Sequence, residues 1–266
     1  MSCEQCYDFA AEYVCSDLPV MKALEHDVLG SDYGGTSWTT RSQVDSVFSQ
    51  LELTTDSRLL EVGSGSGWPA LFLSQQSGCQ ATLLDIPLIA LEHASKRATD
   101  DGLAGQATFV NASGLALPFA DGVFDRLSQS DVLCCLPEKL EMLLECRRVA
   151  SSDARFFFTV IEPAGGLSKS DHEAVLETGP PYTDVPDGYP ALLERSGWTM
   201  VVRIDLTSEF GDTIEKLVAG LKTNTPELQE AYGAEELRES WQQNEIQLQL
   251  VRDRKLLRFA YLATPC

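Results

Sequence analysis

The sequence is short of positive charge, of histidine and of long apolar runs, and each shortage removes a class of function. Twenty lysines and arginines face forty acids, a formal charge of −20. Such a surface repels phosphate backbones, so no nucleic acid is expected as a partner. The acids are scattered along the chain, which argues against a disordered acidic tail. No apolar stretch approaches the roughly 20 residues that span a bilayer, so no membrane insertion is expected. The first residues, MSCEQCYDFAAEY, carry neither a basic region nor a hydrophobic core, and the expected compartment is the cytoplasm. There are three histidines, His26, His93 and His172, and eight cysteines. Only Cys3-x-x-Cys6 with Cys15 has ligand-like spacing, and no second C-x-x-C or paired histidine completes it. The expectation is no metal, with reduced and mostly structural thiols.

What the sequence does contain is concentrated between residues 59 and 85, LLEVGSGSGWPALFLSQQSGCQATLLD. A short apolar run ends in Glu61-Val62. Gly63, Gly65 and Gly67 follow at alternate positions with Ser64 and Ser66 between them, and Trp68-Pro69-Ala70 opens a helix. A second apolar run, Ala81 to Leu84, stops at Asp85. This is the strand, glycine turn, helix, strand and acid of a βαβ unit that holds a nucleoside. Glycines let a ligand approach backbone N–H groups with no Cβ in the way. Asp85, at a strand's carboxyl end, is placed to accept from two ribose hydroxyls. Glu61 stands where its carboxylate would either accept from a ligand ammonium or order the turn. Read from Gly65, the same stretch also fits the nicotinamide-dinucleotide spacing.

The stretch EVGSGSGWPA with Asp85 resembles the nucleoside-binding motifs of class I S-adenosylmethionine-dependent methyltransferases. Downstream, LPFADGVFDRLSQSDVLCCLPEK (Leu117 to Lys139) is similar to a stretch of the small-molecule members, among them glycine/sarcosine, tocopherol and quinone methyltransferases. Together the matches span roughly residues 57 to 162. The resemblance implies S-adenosyl-L-methionine as cofactor, held by Glu61, Gly63, Ser64, Gly65, Gly67, Asp85, Ile86, Asn111, Ala112 and Ser130. Asn111 stands where many relatives have Asp, and Cys135 where many have His. The resemblance puts Asp131 beside the transferring methyl, as the catalytic residue facing the acceptor; the alternative for Asp131 is a helix N-cap.

The rest of the chain builds around this unit. Residues 4 to 29 read as helical, and the loop Gly30 to Thr40 carries Tyr33 and Trp38. That loop is either a connector or, by the resemblance, a lid whose aromatics shield the methyl donor. Alternating elements at 58–62, 68–77, 80–85, 88–101, 106–110, 123–129, 137–150 and 155–161 signal a parallel sheet covered on both faces. The expected fold is a Rossmann-like doubly wound α/β sheet, mostly parallel with an antiparallel last strand. The segment from Glu162 to Gly188 reads as a variable loop at the active-site mouth, with His172 a substrate-side candidate beside Tyr33 and Trp38. The whole is expected to be one domain: an N-terminal helical lid over 1–52, a cofactor core over 53–207, a helical cap over 208–254 and a last strand over 255–266.

Methyl transfer from a sulfonium is an in-line displacement that mainly needs alignment, which supplies roughly 7–11 kcal/mol of barrier lowering. No Ser-His-Asp or metal constellation is required, and none is visible. The expected partner is a small-molecule methyl acceptor, and a homodimer is left open. Three other readings stay open at this level: a metalloid (arsenite) or thiol methyltransferase using Cys134, Cys135 and Cys146, a nicotinamide oxidoreductase, and a non-catalytic nucleoside-binding subunit. The acceptor atom is not legible, since nitrogen, oxygen, sulfur and carbon are all methylated on such scaffolds.

Overall fold

The computed structural model describes residues 10, 13–223 and 225–266. Cys3, Cys6 and Phe9, on which part of the sequence reading rested, lie outside them. Strands β1 (Arg58–Val62), β2 (Gln80–Asp85), β3 (Ala107–Asn111), β4 (Phe124–Ser130), β5 (Ala150–Pro163), β6 (Trp198–Asp205) and β7 (Leu256–Pro265) form one seven-stranded sheet in the order β3-β2-β1-β4-β5-β7-β6. The first five are mutually parallel, and β7 runs antiparallel between β5 and β6. This is the expected Rossmann-like doubly wound sheet.

Side-chain alternation along the strands assigns the two faces. Leu60, Val62, Leu127, Phe156 and Phe158 point to one side, where they meet helix α5 (Lys139–Val149) and α7 (Gly188–Arg195). Leu59, Ala81, Leu83 and Phe157 point to the other, against α2 (Arg41–Leu51), α3 (Ala70–Ser77) and α4 (Leu88–Asp100). Because α2 buries Val44, Val47 and Leu51 beneath the sheet, the core begins before residue 52. The chain order reverses between β1 and β4, and an open α/β sheet receives its ligand at that crevice.

Two segments depart from the sequence reading. The N-terminal helix does not run unbroken: residues 13–18 are turns, and α1 spans Pro19–Leu29. Proline at the first helical position disfavours helical geometry in the residue before it, and Leu18 is extended accordingly (φ −64°, ψ 140°). The stretch after β5 is not all loop either, because α6 covers Lys169–Thr178. Ser168 caps it, accepting from the Asp171 N–H at 3.1 Å.

The insertion before β7 is helical as expected: α8 (Thr207–Thr223), α9 (Thr225–Tyr232) and α10 (Ala234–Arg252). Phe210, Ile214 and Val218 of α8 pack with Leu250 and Val251 of α10, and with Ile161 and Leu256 of the sheet. The N-terminal segment is built into this insertion. Leu24, Val28 and Leu29 of α1 share an apolar cluster with Leu221, Leu228 and Leu237, and Leu24 sits against the bare Cα of Gly220. Leu24→Ala should therefore cost roughly 2–5 kcal/mol of global stability, the range for a buried Leu-to-Ala truncation. Guanidinium denaturation checks this, and an unmoved midpoint would mean that α1 is a loose flap.

Candidate functional site

The glycine turn leaves β1 beneath the end of β2. The N–H groups of Gly63 and Ser64 donate to the Leu84 carbonyl at 2.8 and 3.1 Å, and Gly65 N–H donates to Asp85 Oδ2 at 2.7 Å. Gly65 has φ +52°, and a Cβ there would lie 2.6 Å from the Tyr13 hydroxyl. Glycine is required at that position by conformation and by space together.

Two carboxylates flank the turn. Glu61 is buried on β1; its Oε2 accepts from the Ser128 hydroxyl, and its Oε1 has no partner. Burial pushes its carboxyl up to about 7 from the usual 4.5, the Ser128 hydrogen bond opposing and the nearby Asp85 charge adding to the rise. Asp85 is also raised, first by burial, while the Gly65 and Ile86 N–H groups hold it back. Its Oδ1 accepts from Ile86 N–H at 2.7 Å, so each oxygen has one bond and retains acceptor capacity. The hydroxyls of Ser64 and Ser66 beside them are buried and unpartnered.

The outer rim is apolar on one side: Ile86 and Leu88 are exposed next to Asp85. Asn111 reaches across from β3, its Nδ2 donating to the Asp85 and Ile86 carbonyls at 3.2 and 2.7 Å, and Ala112 N–H donates to the Asp85 carbonyl at 3.1 Å. Both donors therefore fasten the end of β3 to the end of β2. Asn111 and Ala112 stand at the rim but do not present these groups outward.

Across the crevice β4 ends at Asp131, whose backbone turns left-handed (φ +58°). Its N–H is held by the Thr159 carbonyl and hydroxyl, each at 3.0 Å. The Asp131 side chain neither caps a helix nor stands free. Arg258 of β7, fully buried, donates from Nε to Oδ1 at 3.1 Å and from Nη2 to Oδ2 at 2.8 Å. The expectation of a carboxylate directed at an acceptor thus meets a two-point ion pair. With both oxygens taken by the guanidinium, the carboxylate is turned toward Arg258 and not toward an acceptor. The same guanidinium donates to the Thr39 hydroxyl at 3.1 Å, the Thr159 hydroxyl at 3.3 Å, and the Trp38 carbonyl and Gln43 Oε1 at 3.2 Å each. Ser130, one residue earlier, lies near the Thr39 hydroxyl at 3.5 Å.

The N-terminal segment crosses this region, though not through the aromatics singled out from sequence. Tyr33 is buried against Trp68 (ring centroids 5.2 Å apart), with the Arg97 guanidinium 4.1 Å from its ring centre. Trp38 meets Phe210 of α8 edge-on at 5.1 Å. Both anchor the segment. The groups lying over the turn are the Tyr13 hydroxyl and Gly35, whose bare Cα faces the Ser66 hydroxyl. The backbone around Gly34 is gathered by the Glu25 carboxylate, which accepts from Ser31, Tyr33 N–H and Gly34 N–H. Burial pushes Glu25 up to about 7 as well. His172 is on α6, its Nε2 3.3 Å from Asp184 Oδ1. Asp184 lines a cleft of about 420 Å³ between α5, α6 and α7 whose walls include none of the glycine-turn residues. His172 is therefore not brought together with the other candidates.

Sequence reasoning missed Tyr13, Glu25, Thr39 and Arg258. Only Arg258 carried a signal, a lone charge inside the apolar run LLRFAYLA of a strand covered on both faces.

A sheet of this order, with a glycine turn flanked by buried Glu61 and half-buried Asp85 at its crevice, is the Rossmann-like arrangement that holds a nucleoside. Residues 60–158 match a family model described as a methyltransferase domain. Methyltransferase GfsG of Streptomyces halstedii is 25% identical over 74% of this chain and 72% of its own length. The 27-O-demethylrifamycin SV methyltransferase of Amycolatopsis mediterranei is 27% identical over 65% of each chain. The fold matches that of a Haemonchus contortus phosphoethanolamine N-methyltransferase 2, solved with S-adenosylhomocysteine, at a TM-score of 0.78 and 15% identity, covering 92% of this chain and 57% of that one. The stretch from 60 to 158 is thus similar to a methyltransferase domain, and the relatives that the chain resembles over most of its length are methyltransferases. The oxidoreductase, metalloid and non-catalytic readings are not favoured. Among the described residues, no helix is long and apolar enough to cross a membrane.

The orphaned Glu61 Oε1, the unpartnered serines and the glycine cradle fit a ligand bearing an ammonium and a vicinal diol. Glu61 also makes the site pH-sensitive, and the sign follows from its raised value of about 7. In the free protein its contribution to stability is full below the unfolded value near 4.5 and is lost as pH rises through about 7. A bound ammonium reverses the preference, since it favours the ionised acid. Affinity for S-adenosylhomocysteine should rise by up to about tenfold between roughly pH 6 and pH 8. Calorimetry across that range checks this, and Glu61→Gln should abolish the Glu61-dependent part.

Proposed function

We propose that the chain transfers a methyl group from S-adenosylmethionine to a small-molecule acceptor by in-line displacement, at the crevice between β1 and β4. The observation that carries this reading is the pair of acids on either side of the glycine turn, Glu61 buried and Asp85 half-buried. Glu61 offers one unpartnered oxygen in a desolvated pocket, and Asp85 retains acceptor sites on both oxygens. In this assignment Glu61 holds the cofactor's ammonium and Asp85 its ribose diol. Gly63, Ser64, Gly65 and Gly67 give the backbone approach, and Ile86 covers the adenine at the rim beside Asn111 and Ala112.

When bound, the cofactor supplies an electrophilic methyl group on a sulfonium. The protein's part is then alignment and exclusion of water. Ser130 and Thr39 place two hydroxyls at the end of β4, where they can orient an acceptor. Trp38 and Phe210 form an apolar wall alongside, joining the N-terminal segment to the helical cap. Asp131 serves this arrangement through Arg258, and His172 borders a separate cleft. A hydroxyl oxygen is the acceptor atom we favour, in keeping with the hydroxyl and apolar groups and with the name of the rifamycin relative: the O–CH3 bond forms as the methyl–sulfur bond breaks, S-adenosylhomocysteine leaves, and the hydroxyl proton passes to water. The proposed setting is the cytoplasm, where unpaired thiols such as Cys134 and Cys146 persist.

Asp85→Ala tests the cofactor assignment directly. It should weaken S-adenosylhomocysteine binding by about 1.5–3 kcal/mol, the range for hydrogen bonds to a charged group. It should also depress turnover in a metabolite-extract methylation screen with labelled donor. Unchanged affinity in a folded variant would falsify the ribose assignment.

A further inference from the structure

The fully buried guanidinium of Arg258 holds Asp131, but four of its six hydrogen-bond contacts go elsewhere. We infer that Arg258 is a positioning residue that latches the N-terminal segment over the cofactor turn and so gates cofactor entry and exit. This rests on the cofactor reading above.

The argument is one of connections. Arg258 has five N–H donors and six hydrogen-bond contacts to five acceptor groups. Three of those groups belong to the crossing segment and the helix it enters: the Trp38 carbonyl, the Thr39 hydroxyl and Gln43 Oε1. The other two belong to the catalytic end of the sheet, the Asp131 carboxylate after β4 and the Thr159 hydroxyl on β5. The backbone of Arg258 also reaches the start of the cap, its N–H donating to the Thr207 hydroxyl at 3.2 Å and its carbonyl accepting from Leu206 N–H at 2.9 Å. One residue therefore joins segment, sheet end and cap.

The N-terminal segment lies on the cofactor turn at two points, Gly35 beside Ser66 three residues before Trp38, and Tyr13 over Gly65 on the far side of α1. A ligand seated on Gly63–Gly67 lies under it, so the segment must lift for exchange. Its upstream side is held by Glu25, and its downstream end is held by Arg258 with the Trp68 indole, which donates to the Thr39 carbonyl at 2.6 Å. A planar guanidinium can serve segment and carboxylate at once, whereas an ammonium offers three donors from a single point.

The test uses S-adenosylhomocysteine as probe on the full chain, with stopped-flow association and dissociation and hydrogen exchange. Arg258→Lys keeps the charge but loses the fork. Thr39→Val removes a single acceptor on the segment and leaves the Asp131 pair intact, so it decides the matter should Arg258→Lys not fold. A latch predicts that both association and dissociation quicken, by about tenfold in Arg258→Lys and less in Thr39→Val, while Kd changes by no more than about threefold. Amides of Trp38 to Gln43 should exchange faster, with those of β4 and β5 unchanged. A merely structural role would raise dissociation without faster association, and that result overturns the inference. So do unchanged rates in both variants. Failure of the unaltered protein to bind the probe would instead strike the cofactor reading, and the latch with it.

Discussion

The structure depends on a buried ion pair between two residues 127 positions apart, Asp131 and Arg258. Removing both charges from water carries a penalty of several kcal/mol each, which a single contact rarely offsets. Here the penalty is met by completeness: both carboxylate oxygens and every guanidinium nitrogen are engaged. Replacing one partner would strand the other charge in the interior. An apolar substitute could fill the same volume, but it could not select one geometry for Thr39, Thr159 and the left-handed turn at Asp131 together. The pair thus defines where β4 stops and where the segment before α2 lies.

The cofactor side follows a different electrostatic logic. Glu61 and Asp85 are both raised, first by burial, and the Asp85 charge adds to the rise at Glu61. Their neighbourhood is therefore costly for the empty protein and well suited to a cation. The cost lies at the ligand site, while the ion pair beside it is already compensated. One half of the crevice attracts positive charge, and the other half presents hydroxyls and a carboxylate whose charge Arg258 offsets. This division agrees with a sulfonium donor meeting an uncharged acceptor group.

Local chemistry made much of this legible beforehand. The glycines, Glu61 and Asp85 are close in sequence and act through backbone geometry, so their spacing alone gave the turn and the ends of β1 and β2. Apolar runs likewise located β5 and β7. Features that depend on distant partners were not readable. For Tyr33 and Trp38 the sequence leaves connector and lid both open, because Trp68, Arg97 and Phe210, all distant in the chain, decide where their rings go. Asp131 looked available because its partner lies in the last strand. Two departures from the sequence pattern carry local signals. Pro19 ends any continuous N-terminal helix, and Ser168 with Asp171 marks the start of α6.

The placement of β7 between β5 and β6 has a consequence for how the chain is made. During synthesis β6 emerges before the strand it pairs with, and β5 has only β4 beside it until β7 arrives. Arg258 comes with β7, so Asp131 and the Trp38–Gln43 region remain unjoined until that strand has emerged. The parallel half of the sheet can assemble as it leaves the ribosome, but the crevice takes its final form only after residue 258 has cleared the exit tunnel. Until then the nascent protein exposes an unpaired edge at β5, the surface on which a chaperone would act or a neighbouring chain would mispair.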